Sequence, residues 1–195
     1  IRVSEEDLIE SEQVILGITK DGYLRQSSKR SFNATEQPDI KENDCFMYVH
    51  EHSTHNTILL FTSHGNYLYL PIFKIPQTRW KDMGMHINQF VQIEPGEKIM
   101  HVHIISDFKQ PGYFLMTTKQ NMLKITPLAD FDVVRYHKTF KAINLNKDDI
   151  LTDVRFIEEA KGECLLLSKD GYALKMHLEE IAISGLTAKG VKGMN

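Results

Sequence analysis

One short unit recurs four times in the 195-residue chain: an apolar run, a polar turn, and a second run that carries a basic residue. It reads VILGITKDGYLRQ at 14–26, TILLFTSHGNYLYL at 57–70, YFLMTTKQNMLKI at 113–125 and CLLLSKDGYALKM at 164–176. Aligned on Thr19, Thr62, Thr118 and Ser168, the copies lie 43, 56 and 50 residues apart. A period of about fifty residues marks a repeat architecture of the propeller kind, each copy being one blade. The turns agree with this. Asp21-Gly22 and Asp170-Gly171 suit a type I′ turn, which needs positive φ at both central residues. His64-Gly65 keeps the glycine, and Gln120-Asn121 offers the next residue type that tolerates the left-handed region. The apolar run before each turn suits an inner strand covered on both faces by neighbouring blades.

A second element separates this reading from four unrelated hairpins in a β-sandwich. An acid, an apolar residue two positions on and a valine five positions on recur at Asp44/Phe46/Val49, Glu97/Ile99/Val102 and Asp149/Leu151/Val154. These are read as further strands of each blade, with turns at Pro95-Gly96 and Asn146-Lys147. The final copy stops before its acid and its apolar strand, so a longer array is expected. The expected fold is therefore all-β. It is one domain over 1–195, a propeller-like array of about four blades of four-stranded antiparallel sheet, incomplete, with a partial further repeat at 184–195.

A hydrophobic fraction of 42% suffices for a core, and 25% charged residues suits a wet surface. No apolar run reaches the length of a membrane span. Cys45 and Cys164 sit in apolar runs of different copies and read as reduced packing residues of a cytosolic protein. The net charge of −3 makes no global case for a nucleic-acid partner, but its distribution does. Basic residues gather in and just after the hairpins: Arg25, Lys29 and Arg30; Lys74, Arg79 and Lys81; Lys119 and Lys124; Arg135, Lys138 and Lys141; Lys175, Lys189 and Lys192. Acids gather between blades. If the hairpins share one rim, a positive belt results; ordinary solvated charge is the plain alternative. Tyr69 is read as standing where Lys124 and Lys175 stand, leaving the second blade only its exit segment for contacts.

Catalysis finds little support. His50-x-His52 and His101-x-His103 place pairs on one strand face without cysteine or carboxylate partners at zinc-site spacing. Surface or strand histidines are the better reading. There is no glycine-rich phosphate loop, nucleophile elbow or clustered triad. Trp80, beside Arg79 and Lys81, is read first as an anchor of its segment and second as a stacking platform.

The residues resemble a known family. ITKDGYLR within residues 5–32, PQTRWKDMG at 76–84, EPGEKI at 94–99 and GLTAKGVKGM at 185–194 are similar, in order and period, to one domain. That domain is the C-terminal β-pinwheel of the A subunit of bacterial type IIA topoisomerases, gyrase and topoisomerase IV. The resemblance covers essentially the whole chain. Gyrase carries a QRRGGKG-type box after the first hairpin; here the stretch is Thr35-Glu36-Gln37-Pro38-Asp39, without glycine or arginine and with two acids. That departure, together with RQSSKRSFNA at 25–34, resembles topoisomerase IV of the Gram-positive type and argues against strong chiral wrapping.

The resemblance implies a cytoplasmic, nucleoid-associated domain that holds double-stranded DNA by phosphate contacts from the fourteen basic residues named above. It would present DNA to the strand-passage core for decatenation and supercoil relaxation. The implied partners are the ATPase B subunit, in an A2B2 holoenzyme, together with the rest of the A subunit; the domain itself is expected to be monomeric. No catalytic residue, metal or cofactor is implied in this stretch, ATP and Mg2+ being used elsewhere in the holoenzyme. The remaining readings are a gyrase wrapping domain, a propeller that binds a protein partner, and a small hydrolase on a propeller.

Overall fold

The computed structural model describes residues 8–133 and 137–193. All four hairpins form: β1 (Gln13–Thr19) with β2 (Tyr23–Ser27), β4 (Thr57–Thr62) with β5 (Asn66–Pro71), β8 (Tyr113–Thr118) with β9 (Met122–Pro127), and β12 (Glu163–Leu167) with β13 (Ala173–His177). The acid-led segments become β3 (Phe46–Ser53), β7 (Ile99–Ile105) and β11 (Leu151–Ile157). Two-residue strands β6 (Met85–His86), β10 (Phe140–Lys141) and β14 (Val191–Lys192) complete the set, with one short helix, α1 (Lys29–Asn33). No helix among the described residues is long and apolar enough to cross a membrane.

Three sheets have four strands, in the orders β3-β1-β2-β6, β10-β5-β4-β7 and β11-β8-β9-β14, and the fourth is the β12-β13 hairpin alone. The expectation of four-stranded blades therefore holds for three of them. No described residue pairs with either flank of β12-β13. The sheets interlock, because β6 follows the second hairpin yet pairs with β2 of the first, β10 pairs back to β5, and β14 pairs back to β9. Each four-stranded blade is thus closed by a strand donated from beyond the next hairpin. Unrelated hairpins in a sandwich would not be stitched in this way.

The apolar runs split by face, as the two-residue period of a strand requires. Ile58 and Leu60 of β4 pack with Val14, Leu16 and Ile18 of β1, while Leu59 and Phe61 pack with Phe114 and Met116 of β8. Leu115, on the opposite face of β8, joins Leu123, Ile125 and Leu178 in a third, smaller core. The central hairpins are therefore buried on both faces. β3 and β7 share the first core, and β7 and β11 share the second. These adjoining edges are termed the hub, and β6, β10 and β14, the opposite edges of their sheets, the rim.

The turns correct the expected geometry. Gly22 has φ 94° and its N–H donates to Thr19 O at 3.1 Å, while Asp21 is not among the residues of positive φ. This is a three-residue loop with a left-handed fourth position, not a two-residue type I′ turn. Gly65, Asn121 and Gly171 take the same place, with φ of 75°, 60° and 86°. The preceding Thr or Ser recurs for a physical reason. Thr19 Oγ1 and Thr118 Oγ1 accept the N–H four residues on at 3.1 Å, and Ser168 Oγ does so at 3.0 Å.

The recurrent acid pins the turn to the hub strand. Asp44 Oδ1 accepts from the Asp21 N–H at 3.0 Å, and Asp149 Oδ1 from the Gln120 N–H at 2.9 Å. In the second blade, the buried Glu97 reaches further, accepting from the Thr62 hydroxyl and from Asn66 Nδ2 at 2.9 Å. Cys164 is half-buried as expected, but Cys45 is exposed.

Candidate nucleic-acid interface

Strand register sorts the fourteen predicted basic residues into distinct groups. Gly17 pairs with Arg25, Leu60 with Leu68, Met116 with Lys124, and Leu166 with Leu174. The position equivalent to Arg25 and Lys124 is therefore Leu68 in the second blade and Leu174 in the fourth. The alignment of Tyr69 and Lys175 with Lys124 is one residue out of register.

Arg25 and Lys124 are fully buried and cannot meet a phosphate. Arg25 donates to Trp80 O at 2.9 Å and Asp39 O at 2.7 Å, and Lys124 Nζ donates to Ala142 O at 2.6 Å and Leu186 O at 2.8 Å. Thr78 N–H donates to Gln26 O and Ser184 N–H to Ile125 O, so Trp80 and Leu186 occupy the same place in successive donated segments. Each cation therefore clamps the segment that returns to close its blade. Sequence alone points to DNA contacts at both, because the repeat shows a basic residue but not its direction. A hairpin residue whose face meets the adjoining blade is core, whatever its charge.

Burial pushes the pKa of Lys124 down to about 8, only partly opposed by Asp130. It also lowers that of Arg25, against Asp39, Asp82 and Asp44. The Arg25 guanidinium lies 4.9 Å from the Phe46 ring centroid and 5.5 Å from that of Trp80. Trp80, 3% exposed, stacks on Phe46 at 5.3 Å and meets Phe32 edge-on at 4.9 Å. It anchors its segment and offers no free face for a base. The Thr35–Asp39 stretch is tied down as well, by the clamp from Arg25 and by Asp39 N–H donating to Lys81 O at 2.8 Å.

The exposed basic residues fall into three places. On the rim, Lys141 pairs opposite Asn66 and Lys192 opposite Met122, the same register position, which in the first blade is His86 opposite Tyr23. Lys138 and Lys189 stand three residues before them and are also exposed. Lys138 Nζ lies 5.5 Å from the Phe140 ring centroid, and Lys141 Nζ lies 3.5 Å from Asn144 Oδ1.

At the hairpin tips Lys119 is exposed, and so are Lys20 and Lys169 at the matching position. Sequence reasoning passed over those two, although the position after the recurrent Thr or Ser was signal enough. The second tip has Ser63 instead.

The third group lies at the opposite hairpin end and along the donated segments. Lys29 pairs with Glu51 at 2.9 Å and Arg79 with Asp82 at 2.8 Å, while Arg30 and Lys81 are exposed and Lys74 lies over the Phe73 ring at 5.4 Å. Lys175 faces away from the other blades and pairs with Glu163 at 2.7 Å. Arg135 lies outside the described residues.

The histidine pairs are packed strand residues. His103 stacks on Phe156 at 4.6 Å and burial, with His101 and His52 nearby, pushes its pKa down to about 4. A group that the sequence does not bring together meets at the second tip: His64, Glu94 and Glu97.

Known proteins carry the same architecture. The family described as "DNA gyrase C-terminal domain, beta-propeller" matches residues 56–106, 112–158 and 162–195. The chain is 36% identical over its full length to the A subunit of DNA topoisomerase 4 from Bacillus subtilis (strain 168), of which it spans 24%. A crystal structure of the C-terminal domain of DNA topoisomerase IV superposes with a TM-score of 0.90 at 40% identity, covering 96% of this chain and 58% of that one. The E. coli ParC C-terminal domain superposes at 0.78 with 18% identity, over 94% of this chain and 72% of that one, a likeness of fold. The chain spans about a quarter of the length of the curated relatives it matches. Three interlocked four-stranded blades, the hub acids and this family match lead to one conclusion: the chain belongs to the DNA gyrase C-terminal, β-propeller domain family.

Proposed function

We propose that the domain binds duplex DNA without sequence preference along its outer rim, as part of the A subunit of a topoisomerase IV. One observation carries the reading. Lys138/Lys141 and Lys189/Lys192 recur at the same exposed positions of successive donated segments, and Lys20, Lys119 and Lys169 recur at the tips. Phosphates repeat along a duplex, and a surface that repeats its lysines at successive blades suits them; contacts of this kind position DNA and carry little sequence information. The holoenzyme would combine two such subunits with two ATPase B subunits, using ATP and Mg2+ away from this domain. The domain's part would be to bend or present the duplex for decatenation and relaxation. The tied-down, acidic 35–39 stretch favours this over a gyrase-like wrapping role.

Fluorescence anisotropy with duplex DNA across a salt series tests the reading. Parent binding should weaken steeply with salt. Reversing Lys138, Lys141, Lys189 and Lys192 to Glu should flatten the slope of log K against log salt by about 3 to 4. An unchanged slope would refute the rim assignment. The protein-partner reading has its own support in Leu165, Leu167 and Tyr172, which are 62%, 71% and 71% exposed on the fourth blade. It becomes the preferred one if no DNA binding is seen at low salt.

A further inference from the structure

We infer that the second hairpin tip is a binding site for a first-row divalent cation of the zinc type, held by His64, Glu94 and Glu97. His64 Nδ1 lies 3.2 Å from Glu94 Oε2 and 4.0 Å from Glu97 Oε2. One donor atom from each of the three residues can be chosen so that all lie within 4.8 Å of one another. Ligands about 2.0–2.2 Å from a zinc ion stand roughly 3.3–3.6 Å apart in a tetrahedron, so closing the group needs only small side-chain movements. Imidazole nitrogen and carboxylate oxygen are both zinc donors, and three protein ligands leave a fourth position for water or another ligand.

The three side chains converge because of how the blade is built. Glu94 and Glu97 are the ends of one turn, closed by the Glu97 N–H to Glu94 O at 3.1 Å and by the Glu94 N–H to Glu97 Oε2 at 2.9 Å. The same hub-acid position that pins the other tips brings Glu97 to this one, where Thr62 and Asn66 hold its Oε1. Its side chain is 1% exposed, so one ligand is rigid before any ion arrives. Those outer partners are what orient a ligating carboxylate in a working metal site. His64 and Glu94 are 36% and 75% exposed, leaving a path from solvent.

The site is specific to this blade. At the position of His64 the other tips carry Asp21, Gln120 and Asp170. This tip is also the one with Ser63 where the others have Lys20, Lys119 and Lys169. A bound dication would cancel the charges of Glu94 and Glu97 at the tip that lacks the repeated lysine, easing the approach of a phosphate. That consequence rests on the DNA reading proposed above; the metal site itself does not.

Isothermal titration of the domain with Zn2+, in the absence of DNA, tests the site. One equivalent should bind, and His64→Ala and Glu94→Ala should each weaken it at least about tenfold, the usual cost of losing a ligand or its support. Both side chains are exposed enough to be removed without disturbing the fold, whereas Glu97→Gln would leave one acceptor oxygen for three donors, Thr62, Asn66 and the Glu94 N–H, and so disturb the turn as well. The thermal midpoint should rise with zinc in the parent and not in His64→Ala. No binding by the parent, or binding unchanged in both variants, overturns the inference, the latter assigning the heat to other histidines.

Discussion

Replacing Lys124 with methionine isolates what a buried ammonium does at a blade junction. The change keeps an unbranched stem in the core and removes the donor to Ala142 O and Leu186 O. In the folded protein the Lys124 pKa falls from 10.5 to about 8, because burial disfavours the charged form. Between those two values the unfolded chain binds more protons than the folded one, so stability rises with pH through that window. The full effect of such a shift is about 3 kcal/mol, and about 1 kcal/mol of it falls between pH 7 and pH 9. At pH 7 the methionine variant escapes that penalty but leaves two carbonyl oxygens without a donor, at about 1–3 kcal/mol each, so its stability should change little. The informative quantity is the difference in pH slope.

Urea denaturation read by far-UV circular dichroism and by the emission of Trp80, the only tryptophan, measures it. The parent should gain about 1 kcal/mol more than Lys124→Met between pH 7 and pH 9. Parallel curves would show that the amine ionises as it does in the unfolded chain, and would refute the clamp as a buried charge.

Glycines where a donated segment approaches its host strand should be less tolerant than other left-handed glycines. A Cβ at Gly84 would lie 2.2 Å from Leu24 O, and one at Gly190 2.3 Å from Leu123 O, whereas one at Gly96 meets nothing within 4 Å. All three have φ between 81° and 85°. Gly96→Ala should cost about 1 kcal/mol for the backbone alone, and the other two at least about 1 kcal/mol more, measured by urea midpoint. Equal losses would show that the donated strands yield without strain. Glu97 gives an acid-side prediction. Burial works against its carboxylate, but Thr62, the Glu94 N–H, Asn66 and His64 outweigh it and hold its pKa below the ordinary 4.5. The stability this contributes is present above 4.5 and lost as pH falls through the lowered value, so Glu97→Gln should show a flatter loss on acidification below pH 4.5. A matching acid limb in parent and variant would exclude the brace.

Hairpins and their number were legible because a chain of repeated strands carries its period in one dimension, but burial on both faces was not: in β12 of the fourth hairpin Leu165 and Leu167 are exposed, since no described blade covers that face. Thr19, Thr62, Thr118 and Ser168 could be aligned by eye, and the acid-led strands followed. The turn class was misread because dipeptide chemistry does not reveal loop length: the glycine sits after the turn's central pair, and the hydroxyl before it sets the closure. Rim lysines were legible as charge but not as place. Lys141 and Lys192 point out, and Lys124, indistinguishable from them in composition, points into the next blade.

The amino-acid sequence by itself determined the all-β repeat, the hairpin tips, the hub acids and the supply of basic residues, since each is a local pattern set by side-chain period and turn propensity. Only the tertiary structure decided which cations are clamps and which are free to meet a partner. It alone showed that each full blade is closed by a strand from beyond the next hairpin, and that His64 meets Glu94 and Glu97 across 30 and 33 residues. These are contacts between chain segments far apart in sequence. They depend on which face of a strand meets a neighbour, and a one-residue change of register reverses that face.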